Sequence, residues 1–103
     1  MIKIHCIIVE MYNKIYYPYP ATDNKHKYFI ITANGHKVNF GAKGYEDYTI
    51  HKDPERKQRY INREDWTKKG IDTKGFWSKW LLWNLSTIKE SYKDIQQRFL
   101  RHL

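Results

Sequence analysis

Apolar residues alternate along the first twelve positions, with Ile2, Ile4, Cys6 and Ile8 on one face and Lys3, His5, Ile7, Val9 and Met11 on the other, which predicts a β-strand over 1–12. Prolines at 18 and 20 among Tyr16, Tyr17 and Tyr19 disfavour helix and make 13–26 an extended loop. Two apolar runs, Tyr28–Ala33 and His36–Phe40, flank Asn34-Gly35, the dipeptide preferred in two-residue type I′ hairpin turns. That turn sets Ala33 opposite His36, Ile31 opposite Val38 and Phe29 opposite Phe40. All four apolar side chains then share one buried face. Gly41 and Gly44 enclose Ala42-Lys43 in a further turn, leading into another short element near Tyr45–Thr49.

The period then changes. Asp53-Pro54 is a helix start, an N-cap acceptor followed by proline at the first helical position, and predicts a helix over about 54–62. After an irregular stretch around Gly70, Phe76, Trp77, Trp80, Leu81, Leu82 and Trp83 cover most of a helix circumference, as in a buried helix. Asn84–Ser86 interrupt it, and Thr87 with Glu90 has the spacing of a capping box. Ile88, Tyr92, Ile95, Phe99 and Leu103 recur on one face of the last helix, opposite Lys89, Lys93, Gln97 and Arg101. Trp77, Trp80, Trp83, Ile95 and Phe99 are the expected core between the last two helices and the sheet. Strands preceding helices make this an α+β chain: a small antiparallel sheet, N-terminal strand plus Asn34-Gly35 hairpin, packed against two to three C-terminal helices. The expectation is a single domain over 1–103, mainly β in 1–52 and mainly α in 53–103.

At 103 residues the chain has room for one core. Nineteen Lys and Arg against eleven acids give a net charge of +8, which favours anionic partners. The excess is positive in each of 1–34, 35–52, 53–75 and 76–103, so it belongs to the fold and not to a tail. The single cysteine, Cys6, excludes an intramolecular disulfide and a multi-cysteine zinc site, and suits a reducing compartment. The apolar N-terminal run is broken by Lys3 and His5. It has neither a signal-peptide layout nor the length of a membrane span.

No catalytic motif is recognisable, and no metal or cofactor is expected. The five histidines stand at no familiar metal spacing. His51 with Asp53 comes nearest, and a turn with an N-cap explains the pair more simply. Asp53, Glu55, Glu64 and Asp65 could be read as carboxylates of a small metal-dependent nuclease, but they sit among Arg56, Lys57, Arg59 and Arg63, where ion pairing is more economical. The better constellation is basic and aromatic. Arg56, Arg59 and Arg63 recur at spacings of three and four with Tyr60 beside them, and Lys57, Trp66, Lys68 and Lys69 lie close by in sequence. Arginine offers phosphate a planar donor fork, and lysine adds a point charge. Lys43, in its glycine turn, could also approach a phosphate. The candidate nucleic-acid-binding residues are thus Lys43, Arg56, Lys57, Arg59, Tyr60, Arg63, Lys68 and Lys69, contacting the backbone of duplex DNA without reading bases. The same charges could equally solvate a helix.

From Asn39 onward the text NFGAKGYEDYTIHKDPERKQRYINREDWTKKGIDTKGFWSKWLLWN, continuing weakly through STIKESYKDIQQRF, resembles a family of small basic proteins of nucleocytoplasmic large DNA viruses, the giant viruses. The resemblance covers about residues 39–99. The chain departs from the pattern where Asn62-Arg63 pass directly to Glu64-Asp65, with fewer basic residues, and where Leu85-Ser86 replace Lys-Pro. The resemblance implies a viral setting, in the virion or the infected cell, and no particular chemistry. The leading expectation is a viral nucleic-acid-associated protein and virion component. The alternative is a structural protein of the particle. A homodimer is expected from the second apolar face of the N-terminal strand, Ile7, Val9 and Met11, and from unpaired strand edges.

Overall fold

The structure, a computed structural model, describes residues 14–63 and 69–101. The N-terminal strand expected over 1–12 lies outside the described residues. The chain is α+β, and it divides into two compact units between Lys43 and Gly44.

The first unit holds a three-stranded antiparallel sheet in the order β1 (Tyr19–Pro20), β2 (His26–Ile31), β3 (Lys37–Ala42). β1 comes from the tyrosine and proline stretch expected to be a loop. It pairs Tyr19 with Phe29 and Pro20 with Tyr28. At the sheet edge, proline's missing N–H removes no bond from a central ladder. The tyrosines are packed: Tyr16 is buried and its N–H donates to the Ile31 carbonyl at 2.8 Å, while the Tyr19 ring stacks on Phe29 at 5.5 Å. The turn from β1 to β2 is tied by Asp23. Its carboxylate accepts from the backbone N–H groups of Lys25 and His26 and pairs with His26 Nδ1 at 2.7 Å. The bond to the His26 ring, with that to its backbone, holds Asp23 down at about 2.

The hairpin forms where Asn34-Gly35 places it, but with a different register. Ile31 faces Lys37, Ile30 faces Val38, Phe29 faces Asn39 and Tyr28 faces Phe40. The loop has three residues, Ala33, Asn34 and Gly35. Thr32 closes it: its N–H donates to the His36 carbonyl, its carbonyl accepts from Gly35 N–H, and its hydroxyl accepts from His36 N–H at 3.1 Å. Gly35 alone takes the left-handed conformation (φ 82), whereas a type I′ turn needs it at Asn34 too. The extra residue moves every pairing by one. The expected single face of Phe29, Ile31, Val38 and Phe40 is therefore wrong: Ile30, Val38, Tyr28 and Phe40 share one face, and Phe29 and Ile31 lie on the other with Asn39 and Lys37. Phe29, Ile30 and Ile31 are consecutive and all buried, so β2 is covered on both faces and alternation could not fix its register.

The second unit is helical. Asp47, itself buried, caps α1 (Tyr48–His51) by accepting from Thr49 N–H, and Lys52 ends it in the left-handed conformation. Asp53 accepts from Glu55 and Arg56 N–H and starts α2 (Pro54–Asn62) at the bounds expected from the sequence. Thr73 caps α3 (Lys74–Trp77), which runs into a π-helical turn over Ser78–Leu82. Thr87 caps α4 (Ile88–Phe99). Here the Glu90 carboxylate accepts from the Thr87 hydroxyl at 2.9 Å while that hydroxyl accepts Glu90 N–H.

Phe76, Trp77, Leu81, Leu82 and Ile95 form the core of this unit, with Trp77 Nε1 donating to the Ile71 carbonyl at 2.7 Å. Trp80 is half-buried against Phe76 and Phe99, and Phe99 is 36% exposed, so the expected core thins towards the end of α4. Buried Ser91 accepts Leu85 N–H at 2.9 Å and holds the chain between the π turn and α4. Among the described residues no helix is long and apolar enough to cross a membrane.

The three-residue loop is testable. Gly35→Ala should cost about 1–2 kcal/mol, the usual penalty for an L-residue held left-handed, whereas Asn34→Ala should stay within about 0.5 kcal/mol. Urea unfolding midpoints measure both. A two-residue type I′ turn would instead penalise the two substitutions alike.

Candidate nucleic-acid interface

α2 is nine residues long, buries none of them fully, and docks on its unit through half-buried Arg56, Lys57, Tyr60 and Ile61. The decisive contact is aromatic. The Tyr60 ring lies on the Trp83 indole with centroids 4.3 Å apart and planes 8° from parallel. Trp83 follows the π turn directly. In this arrangement Trp80 points to Phe76 and Phe99, whereas Trp83 meets Tyr60 and, at 5.2 Å, His51. A π turn shifts the residues after it around the helix axis relative to a regular helix. One of the three tryptophans thereby leaves the core face and becomes part of the α2 surface.

Next to that stack, Arg56, Arg59, Asn62, Arg63 and Trp83 line an open groove of about 400 Å³. The three arginines expected to share a face therefore do so. Their surroundings differ. Arg56 is half-buried, with Nη1 2.7 Å from Glu46 Oε2, so part of its charge is spent on an ion pair. Arg63 is exposed, and its guanidinium carbon stands 5.8 Å over the Tyr60 ring. Arg59 is exposed. Neither Arg59 nor Arg63 makes an ion pair with another described residue.

The remaining candidates fall elsewhere. Lys57 is half-buried: its ammonium donates to the Asn84 carbonyl at 2.5 Å and lies 5.0 Å over the Tyr48 ring. Lys69 is half-buried and lies against Gly75, where a Cβ would come within 2.6 Å of its Cδ. Lys43 is exposed in the first unit, its backbone N–H bound to the Lys25 carbonyl. Lys68 and Trp66 lie outside the described residues. Trp83 and Asn62 belong to the groove although the sequence reading names neither for it, and the apolar circumference of the helix predicts Trp83 in the core. The cue available in sequence was its position next to Asn84, where the helix had to break.

Residues 19–64 match a family of unknown function (DUF5754). No curated protein and no solved structure matches the chain. The match runs from β1 to the residue after the α2 cap and covers less than half of the chain. It includes Arg56, Arg59, Tyr60, Asn62 and Arg63, and it stops short of Trp83.

The simpler reading of His51 and Asp53 agrees with the geometry. His51 Nδ1 accepts Asp53 N–H at 2.9 Å, and the Asp53 carboxylate caps α2. With Nδ1 an acceptor, the neutral ring carries its proton on Nε2, which is buried without a hydrogen-bond partner among the described residues. Among the described residues no three His, Cys, Asp or Glu side chains are placed to hold a metal. Glu64 and Asp65 lie outside them.

Asn84 ties α2 to α4. Its carbonyl takes the Lys57 ammonium from α2, and its amide donates to Asp94 Oδ2 of α4 at 2.8 Å. Arg98 Nε holds the other Asp94 oxygen at 2.8 Å. Burial works against ionisation of Asp94, but the hydrogen bonds from Arg98 and Asn84 outweigh it and keep the carboxyl below its ordinary range. A carboxylate with a depressed pKa in the folded state binds fewer protons there than when unfolded. Its contribution is thus complete above the ordinary carboxylate range and is lost as pH falls through the folded value. Asp94→Ala should therefore be less stable than the unaltered chain at pH 6, and the gap between their urea midpoints should close on acidification below about pH 4.

Proposed function

We propose that the protein binds the phosphate backbone of nucleic acid, without sequence preference, through the α2 groove. The observation that carries this reading is the convergence of Arg56, Arg59 and Arg63 on one groove, with Arg59 and Arg63 unpaired among the described residues. Guanidinium forks suit phosphate oxygens, and phosphate contacts position a protein without reading bases. The net charge of +8 supplies long-range attraction to a polyanion. The resemblance of residues 39–99 to the giant-virus family supports a viral setting, with the protein bound to nucleic acid in the virion or the infected cell. Self-association through the apolar positions Ile7, Val9 and Met11 would multiply the contacts per assembly. Light scattering at micromolar concentration should then give a dimer mass, and a monomer mass would reject it.

Binding to a short DNA duplex should weaken steeply as salt rises. Each neutralised phosphate adds about 0.9 to the slope of log affinity against log salt. Because Arg56 is shared with Glu46, the Arg59→Ala/Arg63→Ala double variant should flatten the slope by about two units and weaken unrelated sequences alike. Unchanged affinity and slope in a folded double variant would place binding elsewhere. Absence of binding by the unaltered protein at low salt would favour a structural protein of the particle.

A further inference from the structure

The groove is concave, and one of its walls is an indole. Phosphate recognition alone needs neither property. Trp83 comes from the segment after the π turn, not from α2, so the arginine-bearing side of α2 is walled by a second element. A helix that enters the major groove of a duplex must present its recognition side as a free cylinder. On α2 that side is bordered by Trp83. A duplex also turns its bases inward and offers a flanking indole only sugar and phosphate. An unpaired strand offers the aromatic faces of its bases.

We propose that the groove takes an unpaired strand of DNA or RNA, with one base held against the Trp83 indole and the adjoining phosphates held by Arg59 and Arg63. The inference rests on the phosphate-binding reading above and adds the form of the nucleic acid. Three features support it. The groove is open and of about 400 Å³, enough to admit one base with its phosphate from the side. Tyr60 lies flat on one face of Trp83 and so holds the indole in place as a wall, and the Arg63 guanidinium carbon stands 5.8 Å from the Tyr60 centroid. Asn62, exposed on the groove lining, accepts Gln58 Nε2 at its Oδ1 at 3.0 Å and so turns its amide NH2 to donate to an acceptor on a base edge. A cationic groove with an aromatic surface is the usual arrangement for unpaired strands bound without sequence preference.

The test compares four ligands of equal length, about a dozen residues each, at one salt concentration: oligothymidylate, oligouridylate, an abasic deoxyribose-phosphate strand and a DNA duplex. Expected is about ten-fold tighter binding of at least one base-bearing strand than of the abasic strand, and tighter binding of that strand than of the duplex. Trp83→Leu should remove most of the advantage over the abasic strand, and Trp83→Tyr should keep most of it. If Trp83→Leu does not fold, the comparison of base-bearing with abasic strand on the unaltered protein decides. Equal affinity for abasic and base-bearing strands, or preference for the duplex, would overturn the inference and leave phosphate binding standing. Failure of all four ligands to bind would remove both.

Discussion

α2 joins the rest of the helical unit through the face-to-face contact of Tyr60 with Trp83. α2 has no fully buried residue and a polar composition, so it has little apolar surface of its own with which to dock. A ring stack concentrates what it has in one place. Around that contact the chain uses polar groups as ties: Lys57 reaches the Asn84 carbonyl, Asn84 reaches Asp94, and Arg98 holds Asp94 from the next turn of α4. The tie points at Asn84 and the ring at Trp83 are consecutive in sequence. They are available together because the π turn ends immediately before them and buried Ser91 secures the Leu85 N–H that follows. A helix that went on regularly past Leu82 would hold these groups in its own ladder.

What could be read in the sequence follows from how local its cause is. Asp53-Pro54 and Thr87 with Glu90 are local chemistry, and they set the starts of α2 and α4. The arginine face is equally local, because three- and four-residue spacing fixes it once the helix exists. The hairpin tip is local too, but its register is not. Asn34-Gly35 fits a two-residue loop and the last two positions of a three-residue loop equally well. The choice between them falls to Thr32, whose hydroxyl and backbone close the longer loop. Alternation usually corrects such a slip. Here Phe29, Ile30 and Ile31 are buried in succession, and a strand covered on both faces has no polar phase to read.

Trp83 is the complementary failure. An apolar circumference puts Trp77, Trp80 and Trp83 all in the core, and that inference assumes one regular helix throughout. The π turn, Ser78–Leu82, breaks the assumption between the first and third tryptophan and contains the second. Trp77 is fully buried, Trp80 lies beside Phe76 and Phe99, and Trp83 faces α2. Nothing in local propensity marks a π turn over a tract as apolar as Ser78–Leu82. The groove thus combines a legible part, the arginines, with a part set by tertiary structure.

Net charge overstates the charge available to a ligand in a chain this rich in aromatic residues. Lys14 lies over Tyr17, Lys37 over Phe29, Lys57 over Tyr48, and both Lys79 and Arg98 over Trp80. Each such cation shields an aromatic ring with its hydrocarbon stem and is attracted to the ring face. Lys79 shows the cost of this arrangement, since burial lowers its pKa below the ordinary lysine value. The excess of +8 is therefore divided between cations that complete the fold and cations that remain for a partner. On α2 the division falls between neighbours: Lys57 and Arg56 are bound to Asn84 and Glu46, and Arg59 and Arg63 face the groove. Position relative to an aromatic ring or a carboxylate, more than the number of basic residues, decides where a polyanion meets this surface.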